Sequence, residues 1–348
     1  MKDPPRPTAI DLFAGAGGSS QGLIDAGFRI LAAIERDEDA AATFVANHPN
    51  VRVLPKDIAC VSPNGLRTEL GLAPLDLTLL TACPPCQGFS SLGSRNSRDE
   101  RNDLVYQVYR FTRAFRPAAV LLENVPGLAK DPRWSALRQQ LRASGYGVRS
   151  WNVDAAQFGV AQRRRRMIAI AIRRGNSPLP NDVRELLPHD FQSVAPHANE
   201  VIGRAGAIEG SADECHRSRT LSAAVLERVK AIPEGGNHFD LPDELQLACH
   251  KKLRARGRTT ATGPYGRIPL EGPAPTMTTR CTTVSCGRFI HPSEDRGISL
   301  REAALLQSFP EDYLFMGSYG SIERQIGNAV PVRLAHALGL VVRELLDE

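Results

Sequence analysis

The sequence predicts an α/β protein built on a mostly parallel sheet, with a second, smaller and irregular domain. In the first 175 residues, short apolar runs alternate with longer mixed segments, which is typical of strand and helix units in a parallel sheet. The glycine-rich run DLFAGAGG at residues 11–18 follows the first apolar run directly. From residue 175 to about residue 275, prolines, glycines and polar residues are scattered and apolar periodicity is weak. We therefore expect the irregular domain in this part of the chain.

The apolar runs define the secondary structure of the predicted sheet domain. Strands are expected at residues 8–13, 28–34, 51–54, 75–81, 118–122 and 167–172. Apolar residues recur at helical spacing between the fourth and fifth strands, which predicts a helix over residues 102–115. Two further helices are expected near the end of the chain, at 300–307 and at 332–346, the second directly after Pro331.

Basic residues are clustered along the chain, although the formal net charge of +5 is mild. The runs lie at residues 163–166, 173–174 and 251–258. Such runs bind phosphate backbones through counterion release, but they also occur as ordinary solvated surface. The candidates for phosphate contacts in the last run are Lys251, Lys252, Arg254, Arg256 and Arg258.

The cysteine count and the apolar runs indicate a cellular compartment. The seven cysteines form an odd set, and the first residues lack the apolar core of a signal peptide. No run approaches the roughly 18 apolar residues that a membrane span requires. The sequence therefore predicts a cytoplasmic protein with reduced thiols and no membrane association.

The glycine loop and two acids indicate a nucleotide-like cofactor. Gly15, Gly17 and Gly18 would let a ligand approach the backbone at the carboxyl edge of the sheet. Glu35 follows the second strand and could accept hydrogen bonds from ribose hydroxyls, and Asp57 follows the third strand and could accept from an adenine amino group. The dinucleotide fingerprint would require glycine where Ser20 stands, which favours an adenosyl cofactor without phosphates over NAD. The alternative is a tight turn beside two surface acids.

Cys86 is the candidate nucleophile, in the run Pro84-Pro85-Cys86-Gln87 after the fourth strand. Two prolines followed by small residues would present a thiol at the edge of the sheet, where a neighbouring positive charge favours thiolate. Cys83 makes this also a Cys-Pro-Pro-Cys run, so a dithiol redox centre and half of a zinc site are alternatives. The redox alternative is weakened by the glycine loop on the first strand of a much larger sheet. The zinc alternative lacks a second pair of suitable spacing.

Glu123 ends the fifth strand, in the run Glu123-Asn124-Val125, and should emerge at the same edge as Cys86. A carboxyl group beside an aromatic substrate can act as a general acid. A capping or ion-pair role is the alternative for this glutamate.

The run QRRRR at residues 162–166 precedes the last predicted strand. Because alternate residues of an extended segment share a face, Gln162, Arg164 and Arg166 should point one way and Arg163 and Arg165 the other. The first group could hold Glu123, grip a phosphate or bind a carbonyl oxygen of a substrate base.

Several ordered motifs together resemble the C5-cytosine-specific DNA methyltransferases of prokaryotic type. The resemblance spans nearly the whole chain and departs from the family pattern at Cys83, where glycine is usual. The matching runs are DLFAGAGG (11–18), PPCQGFS (84–90), DERNDL (99–104), ENV (123–125), QRRRR (162–166), REAALLQSFP (301–310) and QIGNAVP (325–331).

The resemblance implies a doubly wound catalytic domain of the S-adenosylmethionine-dependent methyltransferase type, formed by residues 1–180 and 318–348. It also implies a target-recognition domain at residues 181–317, with a hinge motif at about 296–310. The expected cofactor is S-adenosyl-L-methionine, and the expected partner is duplex DNA. The protein is expected to act as a monomer, with a restriction endonuclease encoded separately.

The resemblance also assigns roles to individual residues. Cys86 would attack C6 of a flipped-out cytosine, Glu123 and Arg166 would bind that base, and Arg164 would support them. Phe13 would stack on the cofactor, Glu35 would hold the ribose and Asp57 the adenine. The remaining cofactor residues would be Gly15, Gly17, Gly18, Ile58, Pro85, Leu104, Asn328 and Val330, and further DNA contacts would come from Gln87, Ser90 and Ser91. An RNA cytosine-5 methyltransferase and a dithiol oxidoreductase using Cys83 and Cys86 remain the alternatives.

Overall fold

The computed structural model describes residues 6–85, 103–173, 179–255, 257 and 262–347. Six of the predicted site residues lie outside the described residues, and the side chain of Arg254 is also not described. The six are Cys86, Gln87, Ser90, Ser91, Arg256 and Arg258.

A seven-stranded sheet forms the centre of the protein, in the order β3-β2-β1-β4-β5-β7-β6. Its strands are β1 (Thr8–Leu12), β2 (Arg29–Ile34), β3 (Arg52–Leu54), β4 (Leu79–Ala82), β5 (Ala119–Asn124), β6 (Gly147–Asp154) and β7 (Arg165–Ile172). The first five strands in chain order are parallel, and β7 pairs antiparallel with both β5 and β6. The chain winds outward from β1 in both directions, so the sheet is doubly wound as predicted, with its topological switch between β1 and β4.

Helices cover both faces of this sheet. The helices of the described residues, in the sheet domain and in the region at 181–317, are α1 (Gly18–Asp25), α2 (Glu38–Asn47), α3 (Pro63–Glu69), α4 (Val105–Phe115), α5 (Pro132–Ala143), α6 (Ala198–Gly203), α7 (Ala223–Ala231), α8 (Ala248–Ala255), α9 (Leu300–Leu306), α10 (Tyr319–Asn328) and α11 (Val332–Asp347). Successive residues of β1 point to opposite faces. Ile10 packs into the core with α4 and α5, whereas Ala9 packs into the core with α1 and α11. Burial on both faces explains why the parallel strands are apolar runs in the sequence.

Most predicted elements are confirmed, with two differences. The fourth strand begins at Leu79 and not at residue 75, because Leu75 has a left-handed backbone (φ 88°) and Asp76 accepts a hydrogen bond from the Ala73 amide at 2.7 Å. These features form a turn. The strand Gly147–Asp154 was not predicted, because it is an edge strand with mostly half-buried side chains and has no continuous apolar run.

The region at residues 181–317 consists mainly of short helices and turns, in agreement with the weak apolar periodicity of residues 175–275. It holds a small apolar cluster that includes Val229, Tyr265 and Ile290. A larger cluster joins α9 to α10, so the predicted domain boundary at residue 317 falls between two helices that share one core. Within the described residues, no helix has the length and apolar character needed to span a membrane.

Candidate active site

The carboxyl ends of four parallel strands meet at one edge of the sheet. Leu12 pairs with Ile34 on one side and with Ala82 on the other, and Ala82 pairs with Leu122. The residues that follow these strands therefore emerge side by side. This edge brings together the glycine loop, Glu35, the segment Cys83-Pro84-Pro85 and Glu123.

The glycine loop turns sharply between β1 and α1. Phe13, Gly15 and Gly17 have positive φ angles of 64°, 54° and 93°. A Cβ atom at Gly17 would lie 2.7 Å from the Tyr313 hydroxyl, so packing requires glycine there, whereas a Cβ at Gly15 would meet nothing within 4 Å. The loop is thus packed against protein at Gly17 and open at Gly15, which leaves space for a ligand next to the backbone.

Glu35 is fixed by the glycine loop itself. One carboxylate oxygen, Oε2, accepts a hydrogen bond from the Gly15 amide at 2.9 Å, and the other, Oε1, accepts from the Asp37 amide at 2.8 Å. Each oxygen of a carboxylate has two acceptor sites, so both retain capacity for a ligand. The acid that was expected to hold a ribose is therefore held in place beside the open part of the loop.

The other predicted cofactor residues surround the same edge. Asp57 accepts a hydrogen bond from the Ala59 amide at 2.9 Å, and its side chain is 43% exposed. Ile58 is buried in the apolar cluster against which Phe13 and Leu104 pack. On the C-terminal side, Val330 is buried with its carbonyl oxygen 2.5 Å from where a Cβ of Gly18 would lie, and Asn328 is exposed.

Asp11 is a buried acid that was not among the predicted site residues. It lies on β1 with no exposed surface, and its Oδ2 accepts a hydrogen bond from the Ser20 hydroxyl at 2.7 Å. Within the described part of the chain, its other oxygen, Oδ1, has no hydrogen-bond partner. Burial raises the pKa of Asp11 to about 7, and the nearby charge of Glu35 adds to this. An aspartate inside an apolar strand was the available signal.

Glu123 and Arg166 form an ion pair at the end of β5 and the start of β7. Glu123 Oε1 lies 2.7 Å from Arg166 Nε, and both side chains are 12% exposed. The antiparallel register of β5 and β7 brings the two together, because Glu123 pairs with Ile168 and Asn124 with Met167. The pair that the sequence analysis suggested is therefore present, nearly buried, at the predicted edge.

Asn124 connects this pair to the segment that leads to Cys86. Its side-chain amide donates a hydrogen bond to the Pro84 carbonyl at 3.0 Å, and its side chain is buried. The lead-in to the candidate nucleophile is thereby fixed to the strand end that carries Glu123.

Cys83 is partly exposed, and its surroundings favour the protonated thiol. Burial raises the pKa of its thiol well above the ordinary value, and the negative charges of Glu123 and Asp11 add to the effect. A protonated thiol is a poor nucleophile. In the described ranges, no group of three or more His, Cys, Asp or Glu residues could hold a metal ion.

Gln162 and Arg164 have contacts different from those of Arg166. Arg164 donates to the Met277 carbonyl at 2.9 Å and to the Gly327 carbonyl at 3.1 Å. Gln162 donates to the Gln307 side chain at 2.9 Å and accepts from the Met277 amide at 2.9 Å. Arg166 is the member of the predicted trio that pairs with Glu123, while the other two fix the C-terminal segments to β7.

The first residues of the predicted DNA-contacting run, 251–255, lie on α8. The side chains of Lys251 and Lys252 are exposed there. No carboxylate of the described residues pairs with either lysine, so both are available to solvent or to a polyanion.

Comparison with known proteins gives consistent results. Residues 8–343 match the family described as C-5 cytosine-specific DNA methylase. The chain is similar to the Type II methylase M.HgiDII of Herpetosiphon aurantiacus, with 32% identity, covering 97% of this chain and 95% of the relative. It is also similar to the Type II methyltransferase M.PspPI of Psychrobacter sp. (strain TA137), with 34% identity, covering 97% of this chain and 79% of the relative.

Solved structures show the same fold. The S. pombe Dnmt2 methyltransferase matches with a TM-score of 0.70 and 18% identity, covering 99% of this chain and 100% of that chain. At this identity the likeness concerns the fold alone, and it agrees with the doubly wound sheet described above.

Proposed function

The chain belongs to the C-5 cytosine-specific DNA methylase family and is a DNA (cytosine-5-)-methyltransferase, and we propose that it methylates C5 of cytosine in a specific duplex DNA sequence with Cys86 as nucleophile. The observation that carries this mechanism is the nearly buried Glu123–Arg166 pair. It stands beside the Pro84 carbonyl that Asn124 holds. A carboxyl group, a guanidinium and the approach to a thiol thus share one edge.

The residues around the glycine loop fit S-adenosyl-L-methionine. The loop is open at Gly15, and the carboxylate of Glu35 beside it makes its surroundings negative, which suits a cationic ligand. When bound, this cofactor supplies an electrophilic methyl group on a positively charged sulfonium. The residues that would hold it are Phe13, Gly15, Gly17, Gly18, Glu35, Asp57, Ile58, Pro85, Leu104, Asn328 and Val330.

The chemistry required of the protein is activation of an aromatic ring. The Cys86 thiolate adds to C6 of cytosine, the ring electrons move toward N3, and Glu123 provides the proton that N3 takes up. C5 then carries enamine-like electron density and can accept a methyl group. Loss of the C5 proton and cleavage of the bond between sulfur and C6 re-form the C5–C6 double bond and release the thiolate. N3 returns its proton to Glu123, which restores the aromatic ring and the acid.

Arg166 and Asn124 orient the groups that react. The short contact with Arg166 fixes the Glu123 carboxyl, and Arg166 can also meet the base carbonyl oxygen. Asn124 fixes Pro84, two residues before Cys86 in the chain. Because C6 is inaccessible in a duplex, the cytosine must rotate out of the stack, at a cost of a few kcal/mol. Such preorganisation keeps the groups close to the geometry of reaction.

Recognition of DNA is assigned to residues 181–317. Lys251 and Lys252 would contact phosphates together with Arg254, Arg256 and Arg258, and Gln87, Ser90 and Ser91 would contact DNA at the active site. The protein would act as a monomer, and a cognate restriction endonuclease would be encoded separately.

Replacement of the candidate nucleophile tests this function. We expect Cys86→Ala to abolish transfer of tritiated methyl groups to unmethylated duplex DNA while cofactor binding, measured by calorimetry, is retained. Duplexes containing 5-fluorocytosine should form a covalent adduct, resistant to denaturation, with the intact protein alone. The control is Cys83→Ala, because the mechanism gives the Cys83 thiol no role.

The outcomes distinguish the alternatives. Methyl transfer by Cys86→Ala at the rate of the unmodified protein would refute the nucleophile assignment. Transfer to RNA but not to duplex DNA would identify an RNA cytosine-5 methyltransferase. Loss of a redox activity in both cysteine variants, with no methyl transfer by the unmodified protein, would identify a dithiol oxidoreductase.

A further inference from the structure

Two arginines lie over one tyrosine ring at the start of α10. The guanidinium carbon of Arg219 is 4.7 Å from the ring centroid of Tyr319, and that of Arg217 is 5.7 Å from it. The ring attracts both cations and restricts their rotation. Arg217 is exposed and Arg219 is partly exposed, so two positive charges are displayed on a rigid aromatic support.

Glu323 pairs with Arg219 and holds its guanidinium in place. Its Oε2 lies 2.7 Å from Arg219 Nη2, and its Oε1 accepts hydrogen bonds from the Thr282 amide at 2.9 Å and the Thr282 hydroxyl at 2.6 Å. Glu323 is 2% exposed, so its charge faces the protein interior. The described residues include no carboxylate paired with Arg217. The cluster therefore presents a net positive charge to solvent.

The segment of residues 277–283 connects this cluster to the candidate active site. It begins at Met277, whose carbonyl accepts from Arg164, two residues before the Arg166 that pairs with Glu123. It crosses α10 so closely that a Cβ at Gly327 would lie 2.0 Å from a backbone oxygen of the segment. It then reaches Thr282, which Glu323 holds beside Arg219. One short, tightly packed segment thus spans the distance from the catalytic strand to the two arginines.

We infer that Arg217 and Arg219, supported by Tyr319, bind a backbone phosphate of the DNA substrate. This inference rests on the proposed function: a duplex whose cytosine reaches Glu123 would pass over the surface around that residue, and residues 277–283 lead from there to the cluster. A planar guanidinium held in place by an aromatic ring and a carboxylate loses little freedom on binding and can donate two parallel hydrogen bonds to phosphate. Such a contact fixes the position of the duplex and reads no base.

The salt dependence of DNA binding measures this contact. Fluorescence anisotropy with a mixed-sequence duplex, over a series of KCl concentrations, gives the slope of log K against log salt. We expect Arg217→Ala to reduce this slope by about one and to weaken binding by roughly 3-fold to 10-fold, because one phosphate contact is lost. The methyl-transfer rate at saturating DNA and cofactor should stay within about two-fold, since the cluster lies outside the reacting groups.

Arg113→Ala is the charge-matched control. Arg113 is exposed in the last turn of α4, which runs back from the carboxyl edge toward the start of β5. It therefore lies at the edge of the sheet opposite the candidate site. We expect its slope and affinity to equal those of the unmodified protein.

Two further variants test the arrangement of Arg219 over the Tyr319 ring. Neither of them leaves the buried Glu323 carboxylate without a cation at position 219. Arg219→Lys keeps the charge, so the slope should be retained while affinity falls, because lysine lacks the planar fork. Tyr319→Leu removes the ring and should lower affinity in the same way.

A slope for Arg217→Ala equal to that of Arg113→Ala would overturn the inference, as would unchanged affinity in both geometry variants. These results concern only the phosphate contact. Failure of the proposed function is a separate result, namely the absence of methyl transfer by the unmodified protein.

Discussion

The sheet and the region at residues 181–317 differ in how their buried backbone amides and carbonyls form hydrogen bonds. In the sheet, strand pairing uses the amides and carbonyls, and the buried side chains are apolar. In the other region, short helices and turns leave carbonyls pointing inward with no strand beside them. Buried arginine side chains supply the missing donors there.

Arg267 shows this most fully. It is 5% exposed, and its guanidinium donates to the carbonyls of Val229, Ile232, His291 and Glu294 and to the side chain of Asp295. Arg288 repeats the arrangement with three further carbonyls, those of Gly235, Gly236 and Arg267.

An arginine in this chain is therefore not by itself evidence of a DNA contact. Arg267 and Arg164 are buried and donate hydrogen bonds to backbone carbonyls. Lys251, Lys252 and Arg217, in contrast, are exposed and have no carboxylate partner among the described residues. Burial and pairing separate the two classes, and neither can be read from residue type.

The largest expected effect is at the carboxyl edge of the sheet, where the Glu123–Arg166 pair should contribute to catalysis and not to stability. We expect Glu123→Gln to lower the methyl-transfer rate by roughly 10²-fold to 10⁴-fold, because an amide cannot deliver a proton to N3. DNA affinity should change far less. Glu69→Gln, which breaks the exposed pair with Arg52, is the control and should keep full activity. Equal losses in turnover and affinity would assign Glu123 a binding role.

In the other region, the buried arginines should determine stability. We expect Arg267→Met to lower the free energy of unfolding by about 3 kcal/mol, because methionine fills the space but leaves several carbonyls without donors. Urea unfolding measures this change. Arg204→Met, at an exposed position, should stay within about 0.5 kcal/mol of the unmodified protein. Similar stability of the two variants would remove the proposed difference between the regions.

Asp11 is the exception within the sheet, because it is a buried acid among apolar residues. Its pKa of about 7 lies above the ordinary 3.8, so the folded protein keeps a proton that the unfolded chain releases as pH rises between these values. Stability should therefore fall as pH rises through this window, by up to about 1.4 kcal/mol per pH unit.

Asp11→Asn should remove that dependence, because an amide does not ionise. Urea unfolding at pH 5 and pH 7 compares the two proteins, and Asp243→Asn, at an exposed position, is the control. An equally steep fall in Asp11→Asn would show that another group is responsible.

The smallest effect is expected for the exposed lysines of α8. Lys251→Ala combined with Lys252→Ala should reduce the slope of log K against log salt by about one to two, with little change in stability. An unchanged slope would assign both lysines to ordinary solvated surface.

The strands could be predicted because burial on both faces requires continuous apolar runs, as in Leu79–Ala82. The strand Gly147–Asp154 could not, because most of its side chains are half-buried and it has no continuous apolar run. Its Trp151 indole donates to the Asn181 carbonyl at 3.0 Å, a contact between residues 30 positions apart. Local patterns carry no record of such contacts.

In the candidate site, the Glu123–Arg166 pair was among the predicted arrangements, because strand ends at one edge and alternation along a strand both follow from local sequence. The partner of Gln162 was not predicted. It is Gln307, 145 residues away, and the amide pair depends on how the residue that follows α9 approaches the segment that precedes β7.

Apolar periodicity and loop composition are local properties, so the sequence alone predicts the mostly parallel sheet, the order of its motifs and the chemical groups at its carboxyl edge. The doubly wound strand order was what the family resemblance implied. Which charged side chains are buried depends on tertiary packing and could not be predicted from local sequence. The structure showed Arg164 holding the Met277 and Gly327 carbonyls, Asp11 enclosed beneath the glycine loop and Arg217 exposed over Tyr319. Those states depend on residues distant in the chain, whose approach fixes both desolvation and pairing.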